Sequence, residues 1–407
     1  VTEVDIAIVG GGMVGASLAV ALEGLGLRIA LIEAVAHDSA SQPSFDERTT
    51  ALSNGSRRIL DTLGVWSRVA SAATPIRKIH VSDQGRFGFA RIDAAEQGLD
   101  AMGYVVPNRS LGAALWASLA NNENLHVYCP AEVLGVTPGA DVVTLNVVAG
   151  AVQTTLVARL VVAADGIQSA VRGAFGVAAD VHDYRQTAVI TTVLPQRFHD
   201  YIAYERFTQS GPLALLPLSD GRCTLVLTLE PKMAESALSW SDHEFLAEVQ
   251  RRFGFRLGRF LKVGRRVPYP LSLSRANQTS AGRCVIVGNA AQGLHPVAGM
   301  GFNLGLRDVA SLAELVAEQL RGGAHDLGEA AMLARYDAWR AADRGGIISF
   351  TDGLVRLFSS PLGAAQRIRN LGLLAFDVLP PAKAALSRLS TGAAGRVPKL
   401  ARGVPLR

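Results

Sequence analysis

Charge is scarce in this 407-residue chain: Asp, Glu, Lys and Arg make up 18% of it, against 49% hydrophobic residues. Soluble domains carry about 25% charge, and disordered chains are charge-rich and poor in apolar residues. Disorder of the whole chain is therefore excluded. Cysteine is scarcer still. Cys129, Cys223 and Cys284 are odd in number and far apart, so no disulfide framework and no Cys-x-x-Cys metal site is expected. A reducing compartment fits that usage. No run of about 18 apolar residues occurs, so no transmembrane helix is expected. The opening residues, Val1-Thr-Glu-Val-Asp-Ile6, lack the basic and long apolar regions of a secretory signal.

Length suits two domains or one elaborated domain. No fixed-period repeat or long low-complexity tract is present. The formal net charge is only +5, but it is unevenly placed. From Leu354 to Arg407 there are nine Lys or Arg residues and one acid, Asp377, so this tail is +8 and the preceding 353 residues are −3. The basic residues accompany an apolar stretch, Leu371–Leu379, stopped by Pro380-Pro381. Two readings stay open for it: a segment lying on an anionic membrane or a partner, or a C-terminal helix packed on the body. Nucleic-acid binding is not expected, because no recognised fold module accompanies these residues.

Residues 4–9 read as a buried strand, about 14–25 as a helix and 27–32 as a second strand. This βαβ unit implies a parallel sheet. Between them lies Gly10-Gly11-Gly12-Met13-Val14-Gly15, a Gly-x-Gly-x-x-Gly motif. Gly10 permits the tight turn, Gly12 lets backbone approach a pyrophosphate, and Gly15 allows close packing of helix on strand. The free N–H groups of the helix that follows suit phosphate. Glu33 lies 18 residues after Gly15, where a carboxylate can accept from a ribose hydroxyl. The motif does not choose between NAD and FAD.

Strand-like pieces recur at 158–163 and 283–287. The first leads into Asp165-Gly166-Ile-Gln-Ser169-Ala-Val-Arg172. The second leads into Gly288-Asn289-Ala-Ala and then His295-Pro296-Val-Ala-Gly299-Met300-Gly301-Phe302-Asn303-Leu-Gly305-Leu-Arg-Asp308. Residues 188–229 alternate short β-rich runs with turn signals and read as an antiparallel sheet of a second module. The apolar spacing over 301–320 suits an amphipathic helix.

With Asp46-Glu-Arg48-Thr-Thr-Ala-Leu-Ser53, these motifs resemble the group A flavoprotein monooxygenases, above all the hydroxylases of ubiquinone biosynthesis. The 295–308 motif, Glu205-Arg-Phe-Thr…Gly211-Pro-Leu-Ala-Leu-Leu-Pro217 and Asn370-Leu-Gly-Leu-Leu-Ala-Phe-Asp-Val-Leu-Pro-Pro381 resemble the 2-polyprenyl-6-methoxyphenol hydroxylase branch. The resemblance implies an α/β fold: an FAD-binding domain with a parallel sheet, a smaller substrate domain with an antiparallel sheet, and a helical C-terminal tail. The expected FAD-binding segments are 1–75, 106–183 and 276–350. The substrate domain takes 76–105 and 184–275, and the basic tail takes 351–407.

FAD is the implied cofactor, with NAD(P)H and O2 as co-substrates. Gly10, Gly12, Met13, Val14, Gly15 and Glu33 would hold its ADP half. Val133 would offer backbone to the adenine. Arg48 would lie near flavin and pyrophosphate, and Arg109 near the cofactor's middle. Asp165 and Gly166 match the motif linked to both pyrophosphate and NAD(P)H. Gly288 and Asn289 would meet the ribityl chain; the wider family has Asp at the latter position. Backbone at Gly299, Met300, Gly301, Phe302 and Asn303 would face the flavin. A helix N-terminus there stabilises negative charge on the reduced ring. Met300 stands where Gln is usual, so either that side chain is dispensable or only the backbone matters.

Pro296 would lie over the flavin, its carbonyl toward a substrate hydroxyl. His295 reads either as a base that ionises the phenol or as a loop hydrogen-bonding residue. Phe207, Leu215 and Pro217 read as pocket lining or as plain core of the second sheet. No metal site is apparent. The implied substrate is a polyprenylated phenol, the implied location cytoplasmic or peripheral at the membrane's inner face, and other quinone-biosynthesis proteins or a second copy are the partners to consider. Two further readings remain: a hydroxylase of a soluble aromatic acid anchored by Arg206, and a non-catalytic flavin-containing scaffold.

Overall fold

The computed structural model describes residues 1–39, 42–46, 48–85, 89–120, 122–294, 299–359 and 395–407, with side chains in the last helix described as far as residue 346. The first sheet is built on β1 (Thr2–Val9), β2 (Ile29–Ile32), β8 (Leu125–Tyr128), β11 (Val152–Ala163) and β19 (Cys284–Ile286), paired in parallel in the order β19-β11-β1-β2-β8. Antiparallel β18 (Ser280–Ala281), β9 (Glu132–Pro138) and β10 (Val143–Ala149) extend it. β1 is apolar on both faces because both are covered. Ile6 and Ile8 pack against helices, while Val4, Ala7 and Val9 join the opposite core.

Helices α1 (Met13–Ala21), α4 (Asn108–Leu119) and α8 (Met300–Arg321) cover one face. The expected amphipathic helix over 301–320 is α8, but it is buried nearly all round from Met300 to Ala317. Its polar side is covered by α9 (Ala330–Ser359) and by the terminal segment around Leu400. A three-stranded sheet of β3 (Thr49–Ser53), β7 (Gly103–Pro107) and β4 (Thr74–Ile76) joins this unit to the next.

The second large sheet contains β5 (Lys78–Asp83), β6 (Phe89–Asp93), β12 (Ala179–Pro195), β13 (Ile202–Thr208), β14 (Gly211–Pro217), β15 (Cys223–Leu229), β17 (Val267–Ala276) and β20 (Gln292–Gly293). β16 (Phe260–Val263) adds to β12. All these pairs are antiparallel except β13 with β5. Alternation along the strands gives the sheet two distinct faces. Val189, Val193, Tyr204, Leu213, Leu215, Leu225 and Leu227 point to one face and are sealed by α6 (Pro231–Ser239) and α7 (Asp242–Phe253). A Ser241–Glu244 capping box starts α7.

The opposite face presents Ile190, Glu205, Ala214, Leu216 and Val226, each only partly buried. It looks toward the first unit. Thr224 on this face shares a 3.0 Å hydroxyl hydrogen bond with Thr49 of β3, and Leu216 packs in a cluster with Ala51. The partly buried residues of this largely apolar face, beside those two contacts, are the candidate wall of a substrate cleft between the sheets.

Candidate active site

The glycine motif forms a cradle that side chains would fill. Gly10 has φ +103°, and a Cβ on Gly15 would lie 1.8 Å from the Gly10 carbonyl oxygen. A Cβ on Gly12 would meet Ser44 Oγ at 2.7 Å. Helix α1 starts directly after Gly12 with no side-chain cap, leaving N–H groups for an anion. Met13 and Val14 form its first turn. Val14 also fills the space against Gly288, whose φ is +59°, and against Gly305.

Glu33 directly follows β2 and is buried. Its carboxylate accepts from Gly11 N at 2.6 Å, Val35 N at 3.0 Å and Gln42 Nε2 at 3.1 Å. A carboxylate offers about four acceptor positions, so one remains for a ribose hydroxyl. Gln42 belongs to this site and was not foreseen. The Glu33 carbonyl accepts from Ala131 N, which sets the 130–133 segment, including Val133, beside the end of β2. Trp116 donates to the Gly11 carbonyl at 3.2 Å and stacks on His37.

Asp165 and Gly166 follow β11. Asp165 Oδ2 accepts from Val171 N, while Oδ1 is buried with no protein partner among the described residues. Arg172 bridges this loop to the next motif by donating to the carbonyls of Ile167 and Ala290. Gly288 N donates to Asp308 at 3.0 Å, whereas the Asn289 side chain is exposed. The glycine cradle and the buried, unpartnered Asp165 oxygen fit a pyrophosphate-bearing dinucleotide with hydroxyls to donate.

Gly299, at φ +60°, opens α8, and its hypothetical Cβ would meet Ala51 at 3.0 Å. Beside Gly301 there is open space. The Met300 side chain is buried with Leu304 and Leu294. It points into apolar packing, which favours a backbone role for 299–301. The Asn303 side chain is fully engaged within the protein. Its amide donates to the carbonyls of Ala51 and Gly299 and accepts from Ser53 N. The side chain ties β3 to α8, leaving only its backbone for a cofactor. Phe302 packs against the main core.

Arg48 pairs with Asp46 and lies 4.2 Å over the Tyr269 ring, while Tyr269 donates to Asp46. It therefore joins the two units. Arg109, in the first turn of α4, is exposed. Its neighbour Asn108 is buried and joins Thr50 to Asp46, a linkage with no local sequence signal. His295 and Pro296 lie outside the described residues.

Register separates the three pocket candidates. Phe207 shares the cleft-facing side with Glu205, although it is itself buried. Leu215 and Pro217 alternate to the other side, and Leu215 is core under α6 and α7. They do not line the cleft. Arg206, the expected carboxylate anchor, also alternates away, opposite Leu213. Burial, with Arg256 nearby, lowers its pKa. Burial pushes Cys223 and Cys284 up to about 12, so neither offers a thiolate at neutral pH. Burial alone raises the Glu205 carboxyl to about 7.

Comparison with known proteins agrees with this geometry. The FAD binding domain family model matches residues 3–349. The chain belongs to this family. A ubiquinone hydroxylase, UbiL, of Rhodospirillum rubrum is 39% identical over 99% of this chain and 93% of its own length. The 3-demethoxyubiquinol 3-hydroxylase of Escherichia coli is 33% identical over 92% of this chain and 94% of its own. The crystal structure of p-nitrophenol 4-monooxygenase PnpA from Pseudomonas putida superimposes with a TM-score of 0.80 at 21% identity, covering 97% of this chain and all of that one. The protein is an FAD-dependent aromatic-ring hydroxylase of the ubiquinone-biosynthesis type.

Proposed function

We propose that the protein hydroxylates the ring of a polyprenylated phenol in ubiquinone biosynthesis, with 2-polyprenyl-6-methoxyphenol as the substrate to test first. The observation that carries this reading is the cleft wall. Ile190, Ala214, Leu216 and Val226 make it apolar, and residues 188–192 and strands β13 to β15 put no Lys or Arg on that face. An aromatic acid would leave its carboxylate unpaired there. A neutral ring with an apolar tail would not.

When bound, FAD would supply the redox chemistry that couples NAD(P)H oxidation to O2, one oxygen atom entering the ring and the other leaving as water. The Gly10–Gly15 turn and the α1 N-terminus would hold the pyrophosphate, and Glu33 the ribose. Backbone N–H groups at 299–301 would stabilise negative charge on the flavin. The apolar wall orients the ring and excludes water. Glu205 is the one ionisable group among the five partly buried residues of the wall. It accepts the phenolic proton, which raises electron density on the ring, and a pKa near the working pH suits such a base. His295 is the competing candidate for that role.

The test is deletion in the native host, followed by mass spectrometry of quinone precursors. The polyprenyl methoxyphenol should accumulate. Accumulation of a demethoxy precursor instead would move the reaction to the ring position named for the Escherichia coli relative, and an unchanged quinone pool would overturn the reading. Among the described residues no helix is long and apolar enough to cross a membrane, so a lipid-borne substrate calls for peripheral contact with the bilayer.

A further inference from the structure

The basic tail is not the only cationic stretch. Residues 251–266, Arg-Arg-Phe-Gly-Phe-Arg-Leu-Gly-Arg-Phe-Leu-Lys-Val-Gly-Arg-Arg, hold seven cations and no acid. Three of them are committed: Arg251 and Arg252 pair with Glu248, and Arg266 pairs with Asp242. Arg256, Arg259, Lys262 and Arg265 are exposed, and no described carboxylate pairs with them. The stretch ends in β16, which pairs with β12 alone and so forms a sheet edge among the described strands.

Large apolar side chains stand out of the same surface. Phe255 is 67% exposed and Leu261 is 54% exposed. Backbone bonds from Gln196 N to Arg259 O and from Arg197 N to Leu257 O run residues 195–198 antiparallel to this stretch. They bring Phe198, itself 48% exposed, and the exposed Arg197 alongside the Phe255–Leu257 turn. The neighbouring side chains that do enter the sheet core, Phe253, Leu257 and Phe260, are buried. The protruding ones thus are not the frayed edge of a loose core. They are apolar groups set among unpaired cations.

We infer that this edge of the substrate sheet docks on the surface of a bilayer containing anionic lipid, with Phe198, Phe255 and Leu261 entering the headgroup–acyl boundary. Charge complementarity argues for the occupant: phosphate headgroups neutralise four neighbouring cations for which the fold supplies no acid, and each cation adds about fivefold to partitioning near such a surface. Apolar side chains interleaved with basic ones are what interfacial binding needs in addition to charge. The position is also suited to the proposed substrate. The edge strand β16 pairs with β12 at Val193–Pro195, and Thr224, which touches Thr49 across the cleft, is paired with Thr192 next to it. The docking edge and the cleft therefore share one end of the sheet. The inference itself does not depend on which phenol is hydroxylated.

The test is co-sedimentation of the full-length FAD-loaded protein with phosphatidylcholine vesicles, with and without 30% phosphatidylglycerol. Binding should need the anionic lipid and weaken with salt. The variant R256E/R259E/K262E should lose more than about tenfold in partitioning, and F198S/F255S/L261S should lose binding that persists at high salt, both with wild-type flavin content. A third variant reverses Arg367, Arg369, Lys383 and Arg388 in the tail and should bind as wild type does. Full binding by both patch variants, loss confined to the tail variant, or binding to phosphatidylcholine alone would each overturn the proposal.

Discussion

Gly15 and Gly10 approach so closely that a single methyl group on Gly15 would fall 1.8 Å from a carbonyl oxygen. Gly15→Ala must therefore move either the glycine turn or α1. We expect the variant to purify with little or no bound flavin, read as flavin absorbance per protein. Glu205 acts in the opposite way, as a group whose native environment is unfavourable. Its folded pKa lies above the ordinary value of 4.5, at about 7. A carboxyl raised in this way favours folding most below pH 4.5 and loses that contribution as pH rises through 7. Glu205→Gln should thus be more stable than wild type at pH 8 and equal to it near pH 4. The same variant should lose the ascending limb near pH 7 in the kcat/KM profile and lower the rate by about 10²–10⁴-fold. A stabilised variant with an unchanged pH–rate profile would remove Glu205 from the reaction. The glycines were legible in the sequence because turn geometry is local. Glu205 was read only as part of a resemblance. Its meaning comes from which sheet face it occupies, and a slip of one residue would reverse that.

At the level of elements, α8 and α9 meet through charge rather than through apolar side chains alone. Arg340 is fully buried and donates to Asp308 at 2.7 Å and to Asp343 at 2.5 Å, and Arg307 also pairs with Asp343. Asp308 accepts in turn from Gly288 N and from Gln292 Nε2 at 2.7 Å. One carboxylate thereby connects α9 to the turn expected to carry the ribityl chain. Arg340→Met leaves both carboxylates buried without their shared cation, which costs about 3–5 kcal/mol. Asp308→Asn is milder in volume but cannot accept at both oxygens. We expect Arg340→Met to lower the melting temperature strongly, and Asp308→Asn to weaken FAD binding as well, by fluorescence titration of the apoprotein. A normal FAD affinity in Asp308→Asn would show that the Gly288 turn holds its shape unaided. None of this network was legible from local pattern. The spacing over 301–320 identified the helix, but a polar stripe is normally read as facing solvent. Its partners lie 16 to 36 residues further along or back, where periodicity carries no information.

For the whole molecule, the +8 tail divides into parts with different fates. Residues 371–379, the apolar stretch, lie outside the described residues. The last thirteen residues do not hang free. Leu400, Ala401 and Leu406 are buried in the core of the FAD-binding unit. Lys399 N donates to Glu314 at 2.6 Å, and Arg396 lies 3.8 Å over the Trp339 ring. The distal basic residues are thus carried by a segment that closes the fold over the polar side of α8. The expected packed helix belongs to the apolar stretch and so also lies outside the described residues; what packs on the body is residues 395–407, whose one helical turn is Leu400–Arg402. Burying each leucine contributes about 1.5–3 kcal/mol, and Glu314, only 3% exposed, would lose its backbone donor. Truncation after residue 394 should therefore lower the melting temperature by well over what surface-charge removal does, and should increase flavin release on dilution. The control is Arg396→Ala with Lys399→Ala in the full-length chain, where two partly exposed ion pairs and the Arg396–Trp339 contact are removed and the leucines stay. If truncation and the double substitution proved equally mild, the segment would be an adherent tail rather than part of the core. The opposite result, a large loss for truncation alone, makes the C-terminus a structural lock on the flavin unit, and leaves cationic contact with lipid to surfaces that the fold does not already use.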